Sequence, residues 1–176
     1  MSTIVRRLTV ADAQAYMTIR LEALRSEPTA FGSSYEESAR RPLSEFAKRV
    51  ETSERTATYG AFDADTLVGT AGIYQESGAK ERHKAVLFGM YVSPAARRKG
   101  VARALVTGVL GFAHGMDGVE QVKLAVEAGN LPARALYGSF GFEEFGRETR
   151  ALFVDGHYYD EIHMVLFLAK APGALR

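Results

Sequence analysis

The stretch that decides the fold runs from residue 91 to residue 105 and reads Tyr91-Val92-Ser93-Pro94-Ala95-Ala96-Arg97-Arg98-Lys99-Gly100-Val101-Ala102-Arg103-Ala104-Leu105. A buried strand is predicted to end at Pro94, because proline cannot donate to a strand ladder, and a helix is predicted to begin at Gly100. The free N–H groups and partial positive charge of a helix N-terminus attract phosphate, and glycine has no Cβ to keep an anion off the backbone. The stretch therefore predicts a phosphate-binding turn, although a solvated basic turn capped by glycine would use the same residues.

On either side of this turn, apolar periodicity and turn residues divide the chain into alternating elements. The predicted strands cover residues 3–8, 56–62, 67–75, 84–92, 119–126, 145–154 and 157–168. One predicted helix opens at a capping box over residues 9–12 and ends at Pro28, others cover 43–52, 100–113 and 130–140, and residues 30–38 are predicted as loop. The order β-α-α-β-β-β-α-β-α-β-β predicts an α/β (α+β) fold, with a central mixed, mostly antiparallel sheet flanked by helices.

Composition limits the classes of protein to consider. The chain has 176 residues, which suits one domain, a net charge of +1, four histidines and no cysteine. These values exclude a disulfide scaffold, a cysteine nucleophile and a strongly basic nucleic-acid-binding protein. A charged N-terminus and the lack of a run of about 20 apolar residues predict a cytoplasmic protein without a signal peptide or membrane span. We predict one domain over residues 1–170 and a flexible tail over 171–176.

Two motifs within one βαβα unit resemble the GNAT family of acetyl-CoA-dependent N-acetyltransferases. The family's Arg/Gln-x-x-Gly-x-Gly/Ala element matches Arg97–Ala102, and its Asn-x-x-Ala-x-x-Leu-Tyr-x-x-x-Gly-Phe pattern matches Asn130–Phe142. The predicted order of elements agrees with that family from Thr3 to Leu168. The resemblance implies the GNAT-type fold, acetyl-CoA as the cosubstrate and no metal.

The resemblance also implies a cofactor site along the strand and turn quoted above. In the family, the strand before the glycine turn lends its backbone to the pantetheine arm, which implies contacts from Met90, Tyr91 and Val92. The turn holds the pyrophosphate, which implies a role for Arg97, Arg98, Lys99, Gly100, Val101, Ala102 and Arg103. Asn130 is implied either to touch the pantetheine or to cap the short helix, a position at which asparagine is favoured anyway.

For the reaction, the resemblance implies direct attack of a neutral amine on the thioester, without a covalent enzyme intermediate. Tyr137 matches the family's general acid, which would protonate the departing thiolate; otherwise it is one more aromatic side chain that packs a helix on the sheet. A strand N–H near Met90 or Tyr91 would stabilise the oxyanion.

The general base has no motif in this sequence. Several family members carry a glutamate where this chain has Ala125. Glu127 lies two residues further on and faces the same side of the strand, so it is the predicted base. Glu76, Glu161 and His163 are rivals, a chain of water molecules is another, and each of these side chains could instead be a solvated charge.

The acceptor pocket of the family lies between the first two helices, their loop and the last hairpin, which implies Phe31, Tyr35, Glu36 and Tyr159. Aromatic rings and carboxylates suit a cationic amine, although an ordinary loop and a charged sheet edge would contain the same residues. We expect a primary amine of a small or amino-acid-like molecule as acceptor. A protein N-terminus or lysine is an alternative, and a non-catalytic acetyl-CoA-binding sensor or scaffold is an alternative of another class. We expect no nucleic acid or membrane partner, and a homodimer is compatible with the family.

Overall fold

A computed structural model of the chain describes residues 3–169, so the predicted tail at 171–176 lies outside the described residues. The strands are β1 (Ile4–Arg7), β2 (Thr56–Asp63), β3 (Thr66–Gln75), β4 (Lys84–Val92), β5 (Gln121–Glu127), β6 (Glu143–Val154) and β7 (His157–Phe167). The helices are α1 (Ala13–Ser26), α2 (Tyr35–Ala39), α3 (Leu43–Val50), α4 (Val101–Gly115) and α5 (Leu131–Gly138). Every predicted strand is confirmed, with bounds that differ by two residues or fewer.

The 7 strands form one sheet in the order β1-β2-β3-β4-β5-β7-β6. Neighbouring strands run antiparallel, except that β4 and β5 are parallel. Parallel neighbours need a crossover connection, and α4 supplies it between these two strands. The predicted mixed, mostly antiparallel sheet is therefore confirmed.

Helices cover both faces of the sheet and bury two clusters of apolar side chains. On one face, α4 contributes Val101, Leu105 and Val109 to a cluster that also contains Tyr137 of α5. On the other face, α1 and α3 pack against the strands through a second cluster. The predicted apolar face of α1, which includes Tyr16, is buried there. No helix within residues 3–169 is both long enough and apolar enough to cross a membrane.

Two predictions about the N-terminal third are wrong. Residues 30–38 are not all loop, because Ser34 accepts a hydrogen bond from the Glu37 N–H at 3.1 Å and caps α2. A helix of 5 residues shows no apolar period, so its sequence signal was the capping box alone. The box over residues 9–12 opens a 3-10 turn rather than α1, which begins at Ala13. Its Asp12 accepts the Thr9 N–H at 2.8 Å and also pairs with Arg6 at 2.8 Å, which ties β1 to this turn.

Candidate active site

The two parallel strands separate part-way along the sheet and leave a gap towards their carboxyl ends. β4 pairs with β5 only over Lys84–Val86. A β-bulge then follows in β4, where Gly89 and Met90 stand opposite Ala71 alone and Gly89 has a φ of +63°. A bulge bends its strand, and only glycine adopts such a φ readily. Because β4 stays paired with β3 beyond the bulge, its backbone faces β5 across an unpaired gap.

The predicted glycine turn lies at the carboxyl end of β4, beside this gap. Gly100 is the N-cap of α4 with a φ of +81°, and Arg98 also has a positive φ of +59°. Turns of this kind point successive N–H groups into a concavity that binds anions. No side chain caps the first turn of α4, and a Cβ built on Gly100 would meet nothing within 4 Å. The N–H groups at the start of α4 are therefore open to an anion.

The four cations of the turn differ in their engagement. Arg97 donates from Nε to the Val92 carbonyl at 3.0 Å and from Nη2 to Glu27 at 2.7 Å, so it fastens the turn to β4 and to the end of α1. Arg103 donates to the Ser139 hydroxyl at 3.0 Å. Arg98 and Lys99 are exposed and make no ion pair with the described residues. These last two side chains supply the unpaired positive charge beside the open N–H groups.

On β4, the side chain of Tyr91 turns away from the gap. It packs in the cluster that α1 and α3 cover, and its hydroxyl donates to Glu22 at 2.9 Å while lying 3.0 Å from the Ser26 hydroxyl. Burial raises the pKa of this phenol. Met90 and Val92 contribute to the opposite cluster. Any contact from residue 91 to a molecule in the gap must therefore come from its backbone.

Two predicted residues lie on α5, which follows β5. The Asn130 side chain accepts the Ala133 N–H at 3.2 Å and so caps the helix, as one of its two predicted roles requires. Tyr137 is buried, packs edge-on against Phe142 with ring centroids 5.8 Å apart, and its hydroxyl has no hydrogen-bond partner among the described residues. Burial raises the pKa of Tyr137 well above its usual value. The phenol therefore stays protonated throughout the neutral range, so it can donate its proton or a hydrogen bond but cannot act as a general base.

On the face of the sheet that points away from α4, β5 and β7 carry the candidate bases Glu127, Glu161 and His163 next to one another. The strand register sets Glu127 opposite Glu161, and Ala125 opposite His163. One oxygen of Glu127 accepts the Gly129 N–H at 2.8 Å. Burial raises the pKa of Glu161, and the neighbouring carboxylate of Glu148 raises it further, whereas His163 lowers it.

Glu148 on β6 completes this group. Its carboxylate lies 3.3 Å from His163 Nε2, and one ligand atom from each of Glu148, Glu161 and His163 lies within 4.8 Å of the others. Glu76, the remaining rival, lies at the opposite end of β4, where its N–H donates a hydrogen bond to the Lys84 carbonyl. That end lies roughly 26 Å from Val92, because eight steps of ~3.3 Å separate Lys84 from Val92, so Glu76 is remote from the glycine turn at the open end of the gap.

Three of the predicted acceptor residues lie on the segment that follows α1, and the fourth, Tyr159, lies on β7. A 3-10 turn at Pro28–Ala30 packs on β5 and β6, and Phe31 follows it, half-buried beneath the Arg20 guanidinium, which lies 4.4 Å from the ring centre. Tyr35 accepts a hydrogen bond from Arg25. Glu36 is exposed on α2, and Tyr159 is half-buried on β7 opposite Leu152.

Sequence reasoning missed three side chains of this region: Arg20, Glu22 and Glu148. Glu22 on α1 accepts from Tyr91 and Ser93, which are 69 and 71 residues away in sequence. A single charged residue on a helix or strand carries no local signal of such a contact, because only the folded chain brings the partners together.

The sequence of the chain is similar to the sequences of acetyltransferases. A family model described as the acetyltransferase (GNAT) family matches residues 20–142. Spermidine N(1)-acetyltransferase of Vibrio cholerae is 28% identical over 88 residues, which are 50% of this chain and 51% of that protein. The chain spans from 24% to 57% of the length of the curated relatives that it matches.

Solved structures share the fold over nearly the whole chain. A structure from Salmonella typhimurium with its cofactor acetyl-CoA has a TM-score of 0.79 at 20% identity and covers 99% of this chain and 100% of that one. The ribosomal-protein-alanine N-acetyltransferase of Brucella melitensis has a TM-score of 0.76 at 25% identity, covering 94% of this chain and 99% of that one.

Proposed function

The chain belongs to the acetyltransferase (GNAT) family, and from that premise we propose that it transfers the acetyl group of acetyl-CoA directly to a primary amine of a small or amino-acid-like acceptor. The observation that carries the proposal is the gap between β4 and β5 beside the uncapped N-terminus of α4. A pyrophosphate needs the open N–H groups, and an extended arm needs unpaired strand backbone; this chain offers both next to each other.

Different residues around the gap would bind different parts of the cosubstrate. The N–H groups of residues 98–103 would bind the pyrophosphate, and Arg98 and Lys99 would add charge. The backbone of Met90, Tyr91 and Val92 would hold the pantetheine arm, because these residues lie where β4 has no partner on the β5 side. Arg97 acts indirectly, through its bonds to Val92 and Glu27, which keep the turn in place.

Tyr137 is the group proposed to receive the departing thiolate. When the amine attacks the thioester carbonyl, an oxyanion forms, which a β4 N–H near Met90 or Tyr91 would stabilise. The carbon–sulfur bond then breaks and leaves a thiolate that needs a proton or a hydrogen bond. The buried, protonated phenol of Tyr137 supplies it, and its protonation does not change near neutral pH.

Glu161 is better supported than Glu127 as the base that takes the proton from the amine. A base works best when its pKa lies near the operating pH, and burial raises the pKa of Glu161 in that direction. The Glu127 carboxylate is instead engaged by the Gly129 N–H. Because the two residues face each other across β5 and β7, Glu127 serves in this proposal to attract the cationic amine.

The proposed acceptor is an amine that aromatic and acidic side chains would bind. Phe31, Tyr35, Glu36 and Tyr159 remain the predicted acceptor residues, and the relationship to a spermidine acetyltransferase is consistent with a small amine. The similarity in fold to a ribosomal-protein-alanine acetyltransferase keeps a protein amine as an alternative. The cytoplasmic location, the homodimer and the absence of a metal, nucleic acid or membrane partner stay predictions.

The test measures binding and turnover separately. Acetyl-CoA should raise the melting temperature of the protein by mass action, and release of free CoA should depend on an added amine from a panel of small amines, amino acids and peptides. Stabilisation without CoA release from any amine would favour the non-catalytic binding module. Release with peptides alone would favour the protein acceptor, and no stabilisation at saturating acetyl-CoA would contradict the proposal.

A further inference from the structure

Arg20 on α1 is a half-buried cation that forms no hydrogen bond or ion pair with the described residues. Its Nε is buried and has no hydrogen-bond acceptor, and no carboxylate among residues 3–169 forms an ion pair with its guanidinium. Burial of a charge is costly unless the charge is paired and hydrogen-bonded. Natural folds rarely keep such a group where a smaller or apolar side chain would serve, so we expect an anionic ligand to pair with this cation.

Other positively charged side chains lie near Arg20. Burial lowers the pKa of Arg20, and the positive charges of Arg49 and Arg41 lower it further, whereas Tyr16 raises it. Arg41 has its own carboxylate, since it pairs with Glu45 at 3.5 Å. Nothing in the described part of the chain balances Arg20.

Arg20 also lies against an aromatic ring. Its guanidinium carbon lies over the ring of Phe31, 4.4 Å from the ring centre, and a guanidinium that stacks on an aromatic face can still donate hydrogen bonds from its N–H groups. The planar fork of donors at that edge matches the two oxygens of a carboxylate.

The position of Arg20 relates it to the proposed acceptor site. Phe31 directly follows the 3-10 turn Pro28–Ala30, which packs on β5 and β6. These strands carry Glu127 and Glu148, and β7 between them carries Glu161. The loop after α1 therefore has carboxylates at the strands beneath it and an unpaired guanidinium at its own helix, a layout that suits a molecule with a charge of each sign.

We propose that Arg20 binds the acid group of the acceptor, so that the substrates of this chain are amines that also carry a carboxylate, as amino acids do. The inference rests on the proposed function for the identity of the acceptor as an amine. It predicts that a pure polycation is a poor acceptor, which separates this chain from its polyamine-acetylating relative.

The experiment compares wild type, Arg20→Gln and a control, Arg55→Gln, whose exposed side chain makes no hydrogen bond or ion pair with the described residues. The acceptors are amino acids, each paired with its carboxamide, and spermidine. Wild type should prefer the acid over the amide by roughly ten- to hundredfold in kcat/KM, the worth of one charged hydrogen-bonded pair. Arg20→Gln should remove that preference through KM, and Arg55→Gln should retain it.

Two readouts keep this inference separate from the proposed function. Without any ligand, Arg20→Gln should melt close to or above the wild-type temperature, because removing a half-buried cation that lacks a hydrogen bond offsets the loss of its contact with Phe31. A merely structural arginine would instead leave a less stable variant. Acetate at constant ionic strength should stabilise wild type more than chloride does, and Arg20→Gln should lose that difference. Arg20→Lys, which keeps the charge without the fork, should lie between the two.

The results distinguish failure of this inference from failure of the proposed function. If no amine is acetylated but acetate stabilises wild type through Arg20, the proposed function fails and the acid-binding site stands. If wild type acetylates acid and amide equally, prefers spermidine, or responds to acetate no more than Arg20→Gln does, the inference is overturned while acetyl transfer remains.

Discussion

Replacement of Tyr137 by phenylalanine isolates one hydroxyl group. The ring remains buried and keeps its edge-on contact with Phe142, 5.8 Å away. The hydroxyl has no hydrogen-bond partner among residues 3–169, so no protein hydrogen bond, usually worth about 1 kcal/mol, is lost. The free energy of unfolding should therefore change by less than about 1 kcal/mol, or by no more than roughly 2–4 °C in Tm.

Turnover should respond very differently. A positioned general acid contributes about 10²–10⁴-fold, so Tyr137→Phe should release CoA on the order of a thousandfold more slowly, which is about 4 kcal/mol of transition-state free energy. The affinity for acetyl-CoA should change little. The assay is CoA release at saturating substrates, with calorimetric binding of acetyl-CoA and thermal melting on the same samples.

Tyr59→Phe is the matched control, because its ring packs against Gly108 of α4 and its hydroxyl forms no hydrogen bond with the described residues. That variant should keep wild-type turnover. If Tyr137→Phe also turns over at the wild-type rate, the phenol is packing alone and the assignment of the acid is refuted.

Three further predictions concern the turn, the base and the N-terminal ion pair. Gly100→Ala should cost about 1 kcal/mol of stability, because alanine is strained at a φ of +81°, and it should weaken acetyl-CoA binding. The control Gly111→Ala, inside α4, should instead stabilise the protein by ~0.5–1 kcal/mol. Equal effects of the two variants on melting and on acetyl-CoA titration would contradict the role of the turn. Because burial raises the pKa of Glu161, kcat/KM should fall as the pH drops through that raised value. Glu161→Gln should lose this fall at acid pH and about 10²–10⁴-fold in rate. If the variant's pH–rate profile still falls at acid pH, another group is the base. Arg6 lowers the pKa of Asp12 to about 2, so this carboxylate stabilises the fold fully above its unfolded pKa of about 4, and the contribution is lost as the pH falls through the folded value. Asp12→Asn should therefore lower Tm at pH 7 by an amount worth no more than about 1 kcal/mol, because Arg6 is largely exposed to solvent, and the difference should vanish below about pH 2. A difference that stays constant across that range would exclude the ion pair as its source.

The parts of the fold that the sequence could predict are those with local causes. Alternating apolar residues and turn signals define strands within a few residues, which is why β4 has the predicted bounds. The glycine turn was also predictable, since Pro94 must end a strand and Gly100 permits a left-handed backbone. In contrast, α2 has no apolar period, and its only signal was the pair Ser34 and Glu37.

The parts of the site that the sequence could not predict depend on contacts between distant segments. Arg97 looks like a ligand cation in the motif, but its guanidinium is engaged by Glu27, 70 residues away. The sequence cannot distinguish Glu127 from Glu161 as a base, because the difference comes from burial beside β6 and β7. The sequence also cannot show that Arg20 Nε has no hydrogen-bond acceptor among the described residues, since this depends on how the whole chain folds.

The most direct test of the central claim is an NMR titration of the backbone amides with acetyl-CoA. The account predicts that the N–H groups of residues 98–103 shift most, together with those of β4 beyond Gly89, while the paired stretch Lys84–Val86 stays unchanged. Desulfo-CoA should shift the same amides of the turn. If the largest shifts fall elsewhere, or the amides at the start of α4 do not respond at saturation, the turn does not bind the pyrophosphate and the account is wrong.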